Sequence, residues 1–314
     1  MELLHDIDDL PRGLRFVLAV GMFDGVHRGH ELVLGTCVEA AAEDDALALA
    51  LTFAPHPSAV LGGGAPPLLC DPQEKLERIG ELGVAVTVVC PFDRRFADQS
   101  AHDFLARLAG GRDLRAVVMT PETAFGRDRA GTLRAIEQLA PELGFRVVHA
   151  PELELGGDRV SSSRIRAELA AGRLAGVRRL LGRHHAVIGT VVRGDGRGRH
   201  LGYPTANLAF DEAVARPPDG IYAVRLSWAG RSILESARRA EGVASLGIRP
   251  TFGGGARTLE AHLFDFDGDL YDQRLRLEFV RRQRGEKRFA SIDQLIVQMD
   301  RDSARARRIL AAAR

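Results

Sequence analysis

RFVLAVGMFDGVHRGH, residues 15–30, decides the first half of the molecule. Its opening RFVLAVG (15–21) is apolar without polar alternation, which predicts a strand buried on both faces. A Gly-rich loop follows, and a helix is expected from about His30. Outward from this unit, LALALTF (47–53), VAVTVV (84–89), RAVVM (115–119) and FRVVHA (145–150) recur as short apolar runs. Helical stretches lie between them, among them DPQEKLERIGEL (71–82) and SAHDFLARLAG (100–110). The latter opens with Ser100 as N-cap and Asp103 in the capping-box position. Strands separated by helices predict an α/β doubly wound parallel sheet, with ligands at the carboxyl ends of its strands.

Composition narrows the chemistry. A length of 314 residues predicts two domains, and 45% apolar residues supply real cores. Acidic and basic residues nearly cancel, 42 against 43, which argues against a chain-wide polyanion partner; the Arg-rich RDSARARR (301–308) reads as the solvated face of a terminal helix, not a nucleic-acid module. The apolar run Ala46–Phe53 is far too short for a membrane span. MELLHDIDDL has no basic n-region, so no secretory signal is expected and the chain is read as cytoplasmic. There are two lysines, Lys75 and Lys287, neither in a phosphate-loop pattern. The acidic surroundings of Lys75 read as a solvated helix. Cys37, Cys70 and Cys90 are widely separated and read as reduced packing residues.

His27 and His30 are three apart and would share one face of a helix entry. Gly25 and Gly29 let backbone approach a ligand, and a helix N-terminus offers N–H groups to phosphate. Two imidazoles there can stabilise charge on a transferring phosphorus. The plain alternative is a βα turn with solvated histidines; a metal would need a third ligand. TFAPHP (52–57) places Thr52, Phe53 and His56 at a strand end, as pocket lining or as a Pro-stiffened turn. In VSSSRIR (160–166), Ser162, Ser163 and Arg166 would form a second anion cradle, or serve only as N-caps. The 27–30 string H-R-G-H and VSSSRIR resemble, in order, the H-x-G-H and I-S-S-T-x-x-R elements of the nucleotidylyltransferase superfamily. The resemblance assigns Gly21, Phe23, Asp24, Gly25, Gly29 and His56 to nucleotide or flavin binding.

After about residue 182 the texture changes. AVIGTVVRG (186–194), TANLAF (205–210), GIYAVRLSW (220–228), GVASLG (242–247), LEAHLFDF (259–266) and RLRLEFVRR (274–282) are closely spaced strand candidates. One helix, SIDQLIVQMDRDSARARRIL (291–310), closes the chain. This pattern predicts a small β-barrel, with domains at 1–183 and 184–314. In GTVVRGDGRGRHLGYPTANL (189–208), Gly194, Gly196 and Gly198 form a loop able to wrap a pyrophosphate. Thr205 and Asn207 are two apart on a strand entry, so they share a face and offer hard oxygen ligands to Mg²⁺. Glu260, on an otherwise apolar strand, would serve as general base if it faced a bound hydroxyl. Taken singly these are a hairpin turn, an exposed face and a strand-edge charge.

Together they resemble the riboflavin kinase module: G-Y-P-T-A-N at 202–207, which includes Pro204, then GIYAV (220–224), GIRPTF (247–252), LE.H (259–262), GDLY (268–271), and Arg284, Glu286 and Phe289. The whole chain resembles the bacterial bifunctional riboflavin kinase/FMN adenylyltransferase family. That resemblance implies ATP-dependent conversion of riboflavin to FMN and of FMN to FAD, with Mg²⁺, no nucleic acid and no membrane; self-association is left open. It casts Thr205 and Asn207 as metal ligands, Glu260, His27 and His30 as catalytic, and Arg284 as nucleotide-site. The chain departs from the family pattern at Met22, Ala54 and Asp272, and most in MTPETAFG (119–126), where Thr120, Glu122 and Thr123 replace a flavin-lining Gly, Asp or Asn, and Phe. A lost aromatic surface would weaken FMN binding by about 0.5–1.5 kcal/mol. Alternatives are a riboflavin kinase with a weakened or lost adenylyltransferase half, a sister nucleotidylyltransferase with another acceptor, or a non-catalytic flavin or nucleotide-binding regulator.

Overall fold

The computed structural model describes residues 1–194, 198, 201–248 and 257–313. Two compact units are present: Met1–Pro67 with Lys75–Ser161, and Leu68–Glu74 with Ser162–Arg314.

The first unit is a six-stranded parallel sheet of β1 (Glu2–Leu4), β2 (Arg15–Val20), β3 (Leu47–Ala54), β4 (Val86–Pro91), β5 (Asp113–Met119) and β6 (Arg146–His149), in the order β1-β4-β3-β2-β5-β6. Successive residues of each strand face opposite sides of the sheet. Phe16, Leu18, Leu49 and Leu51 therefore pack with Phe104, Leu105 and Ile136 from the helices Ala101–Ala109 and Leu133–Leu143. Val17, Ala19, Ala48 and Ala50 pack on the other side with Leu34 and Cys37 of α1 (Arg28–Glu43) and with Ile79. Small residues on that face let α1 lie close. Ser100 caps its helix as expected, its Oγ accepting the Asp103 N–H at 3.0 Å and donating to the Asp103 carboxylate at 2.8 Å.

The expected strands of the six-stranded sheet are present, and one more joins them. Glu2–Leu4 joins the edge of the sheet, Glu2 opposite Val86. The helix expected from about His30 begins at Arg28, because the His27 side chain caps it.

The second unit contains a closed antiparallel barrel: β7 (Ala186–Val192), β8 (Ala206–Phe210), β9 (Gly220–Trp228), β10 (Arg238–Ile248), β11 (Arg257–Leu263) and β12 (Arg274–Arg284), ordered β7-β8-β11-β10-β9-β12 and back to β7. Alternation sorts the faces. On β11, Leu259, Ala261 and Leu263 are buried, whereas Thr258, Glu260 and His262 are only partly so. The terminal helix Ile292–Ala312 buries Ala306 and Leu310 with Ala223 and Phe264 of the barrel. The helices Ser162–Ala170 and Leu174–Leu181 cluster with this unit. Among the described residues no helix is long and apolar enough to cross a membrane. All three cysteines are free and buried, and burial pushes the Cys37 and Cys90 thiols up to about 12, which fits packing residues.

Candidate functional site

The loop between β2 and α1 is held in a conformation that side chains rarely adopt. Phe23 (φ 48°), Gly25 (φ 77°) and Val26 (φ 36°) all lie in the left-handed region. Such strain persists only where the surroundings over-determine it, and here Phe23, Val26, Asp24 and His27 are all buried. Gly21 packs tightly, since a Cβ there would lie 3.0 Å from the Phe23 ring. His27 is the N-cap of α1, and its Nδ1 accepts the His30 N–H at 3.2 Å. An accepting Nδ1 puts the proton of the neutral ring on Nε2, which makes Nε2 the donor. The His27 and His30 rings stack with centroids 3.6 Å apart, and Phe23 meets His30 edge-on at 5.4 Å. A Cβ at Gly29 would press on His27 at 3.2 Å and on the Val160 carbonyl at 3.5 Å, so the residue opening VSSSRIR borders this loop. The two imidazoles thus stand together at a helix N-terminus, where N–H groups and dipole favour an anion. Among the described residues no metal-holding group of three or more His, Cys, Asp or Glu exists.

Next to the loop, the wholly buried Thr52 donates from Oγ1 to the Met22 carbonyl at 3.0 Å. Thr52 Oγ1 in turn accepts from Lys75 Nζ at 3.0 Å, and Nζ lies 3.5 Å from the same carbonyl. This corrects the expectation of a solvated Lys75: two acceptors remote in sequence hold it. Its neighbour Glu74 is buried as well, with Arg276 at 3.3 Å within the second unit. His56 caps the turn Pro57–Val60, its Nδ1 accepting from the Ser58 N–H at 3.2 Å.

Five phenylalanines form a chain of ring contacts at 5.4–5.8 Å: Phe53 with Phe92 and Phe96, Phe96 with Phe104, and Phe104 with Phe125. Phe53, Phe92, Phe96 and Phe125 are each only partly buried, the first three at or just past the carboxyl ends of β3 and β4 and Phe125 after β5. The MTPETAFG segment therefore keeps an aromatic at Phe125. Its polar residues satisfy one another: the Thr120 N–H donates to Thr123 Oγ1 at 3.0 Å, the two hydroxyls are 2.9 Å apart, and Glu122 pairs with Arg159 at 3.3 Å. Ser162, Ser163 and Arg166 fall in the second compact unit, in the first turn and a half of the helix Ser162–Ala170.

On the barrel, Asn207 of β8 is directly opposite Glu260 of β11. Directly paired residues of antiparallel strands present side chains on one face, here the face away from the buried Ala206, Leu208, Leu259 and Ala261. Because β11 is paired on both sides, Glu260 is no strand-edge charge. Two glycines, Gly194 and Gly198, lie close to the Asn207 and Thr205 side chains. A Cβ at Gly194 would come 2.6 Å from Asn207 Cγ, and one at Gly198 would lie 3.4 Å from Thr205 Oγ1. Gly194 and Gly198 therefore abut the two oxygen-bearing side chains; Gly196, and residues 249–252 of GIRPTF, lie outside the described residues.

Other side chains brace the G-Y-P-T turn. His262, two residues after Glu260, stands 2.9 Å from the Pro204 carbonyl through Nδ1, and its ring meets Tyr203 edge-on at 5.0 Å. Tyr203 donates its hydroxyl to Asp300 of the terminal helix. Arg284 grips the buried Asp302 through Nη2 at 2.7 Å and Nε at 3.0 Å, so its guanidinium is committed to that helix. Residues 203, 262, 300 and 302 carry no individual role in the sequence reading, although LE.H points to His262.

Matches to known proteins follow the same division. The riboflavin kinase family model matches residues 181–310, and the FAD synthetase model residues 12–164. A bifunctional riboflavin kinase/FMN adenylyltransferase of Escherichia coli K12 is 35% identical over 312 residues, covering 98% of this chain and 97% of the relative. One of Bacillus subtilis 168 is 33% identical, covering 95% and 93%. A crystal structure described as a macrolide-efflux protein from Streptococcus pneumoniae superposes with a TM-score of 0.85 at 28% identity, covering 96% of each chain. The chain belongs to the bifunctional riboflavin kinase/FMN adenylyltransferase family.

Proposed function

We propose that this chain makes FAD from riboflavin in two ATP-dependent steps, with adenylyl transfer on residues 1–183 and phosphorylation on residues 184–314, as a cytoplasmic enzyme. Membership of the family supports both activities. The observation that carries the kinase is the register of Asn207 against Glu260 under the Gly194 and Gly198 backbone.

In the first step the Glu260 carboxylate accepts the proton of the riboflavin 5′-hydroxyl as that oxygen attacks the γ-phosphorus of ATP, and ADP leaves. Thr205 Oγ1 and Asn207 Oδ1 are hard oxygens, the donor type Mg²⁺ takes alongside nucleotide phosphates, and the glycines beside them leave the space a side chain would fill. These two residues would hold the ion, which when bound neutralises charge gathering on the phosphates. Pro204 sets the approach of Thr205, and the backbone at Gly194 and Gly198 is open to the phosphate chain.

In the second step a phosphate oxygen of FMN attacks the α-phosphorus of a second ATP, and pyrophosphate leaves. No hydroxyl proton needs removing, so electrostatic stabilisation is the main requirement. The Nε2 proton of His27, the adjacent His30 and the α1 N-terminus supply it, with Gly25 and Gly29 giving backbone access. Ser162, Ser163 and Arg166, read from the sequence as phosphate ligands, start the helix Ser162–Ala170 of the second compact unit. The partly buried phenylalanines offer flat surface for a flavin ring, so the polar replacements at 120–123 leave the unit with aromatic surface.

The test is a time course of purified chain with riboflavin, ATP and Mg²⁺, products separated by chromatography. FMN appearing first and then converting to FAD is expected. FMN that accumulates without FAD removes the second activity, and flavin binding without turnover makes the chain a regulator.

A further inference from the structure

Every basic residue but two in this chain is arginine. One exception, Lys75, has its ammonium on the buried Thr52 hydroxyl and on the Met22 carbonyl, at 3.0 and 3.5 Å. The hydroxyl donates to that same carbonyl at 3.0 Å, so its lone pair is what receives the ammonium. The three groups close a small ring, with one donor converging on a hydroxyl and the carbonyl to which that hydroxyl is bonded. A compact ammonium on a flexible stem fits such a vertex; a planar guanidinium, with donors spread along a rigid fork, does not.

The place of the ring gives it a consequence. Met22 sits between Gly21, where a Cβ would lie 3.0 Å from the Phe23 ring, and the left-handed Phe23, at the start of the loop that ends in His27. A carbonyl oxygen in a loop that meets phosphate carries partial negative charge of the wrong sign. Held by a hydroxyl and an ammonium, it is neutralised and the local potential stays positive. The ring also ties the end of β3 to the loop, fixing where the backbone leaves the sheet.

We infer that Lys75 is a positioning residue for adenylyl transfer: through Thr52 and the Met22 carbonyl it sets the phosphate loop that presents His27 and His30. The inference rests on the adenylyl-transfer reading of the first unit. Its test uses the full chain and the variants Lys75→Met, Lys75→Arg, Thr52→Val and the double Lys75→Met/Thr52→Val, assayed for FMN to FAD and, separately, riboflavin to FMN.

Lys75→Met is expected to lower kcat for FAD formation at least about tenfold with KM for FMN within about threefold, because the ammonium touches the loop and not the flavin. Lys75→Arg should restore less than about a third of the loss, and the double variant should be little worse than Lys75→Met, since both act through one hydrogen-bonded chain. Riboflavin phosphorylation should stay within about twofold of the parent in every variant. Parent-like FAD formation by Lys75→Met, or losses that simply multiply in the double variant, would overturn the inference. Should Lys75→Met fail to fold, Lys75→Arg decides alone: parent-level kcat sinks the idea, and a tenfold loss with an unchanged melting temperature supports it. A parent chain that forms no FAD from FMN refutes the adenylyl-transfer reading itself, and this inference with it; a parent that forms FAD keeps the two failures apart.

Discussion

The two regions proposed to handle polyphosphate are built by opposite means. In the sheet unit the proposed phosphate-binding groups belong to a strained turn and a helix start and are close in sequence: His27 caps the helix on which His30 lies, and the two rings stack. In the barrel the chemistry is assembled by register, Asn207 meeting a carboxylate 53 positions away because two strands pair. A turn-built site depends first on its own backbone and on the few contacts that pin it, such as Thr52 at the end of β3. A register-built site depends on every strand that keeps the barrel closed.

This contrast is broken most sharply by paired substitutions. Glu260→Gln should lower FMN formation by about 10²–10⁴-fold, the usual contribution of a general base, while supplied FMN is still converted to FAD. His27→Ala should cost FAD formation about 10²–10³-fold, as loss of a transition-state donor does, and spare FMN formation. Chromatographic product analysis reads both, and either variant abolishing both reactions would dissolve the division of labour. Gly194→Ala comes next: its Cβ would crowd the Asn207 amide, so an increase of about tenfold in the Mg²⁺ needed for half-maximal kinase rate is expected, with FAD formation from FMN unchanged.

The smallest effect separates the units by stability. Burial pushes the His185 imidazole down from 6.5 to about 4, and Nε2 is already engaged 2.8 Å from the Ala215 carbonyl. The unfolded imidazole therefore takes up its proton at a higher pH than the folded one. Stability of the barrel unit is fully present above pH 6.5 and falls as the pH drops toward 4, by up to about 1.4 kcal/mol per pH unit. His184, also depressed by burial, acts in the same direction. Denaturant titrations at pH 7 and 5 should show a shallower acid loss for His185→Gln than for the parent.

How much of this was legible in the residues follows from the same contrast. Apolar runs buried on both faces, such as Leu47–Ala54, announce parallel strands directly, and alternation announces the barrel strands. Glu2–Leu4 offers no such signal, because three residues in an acidic opening join the sheet only through β4. The H-R-G-H turn is local and readable as a string. The pairing of Asn207 with Glu260 is not, since it is fixed by the closure of six strands. Lys75 was misread for a related reason: charged neighbours on a helix suggest solvent, whereas its partners, Met22 and Thr52, are 53 and 23 positions away. Arg284 shows the same limit, its fork taken by Asp302 on the terminal helix.

The three sequestered thiols have a practical consequence. Cys37 and Cys90 belong to the sheet unit and Cys70 to the barrel unit, so a thiol-modifying reagent reaches each only when its surroundings transiently open. Mass-resolved labelling rates on one unmodified sample would then time the breathing of both halves at once, without any engineered probe.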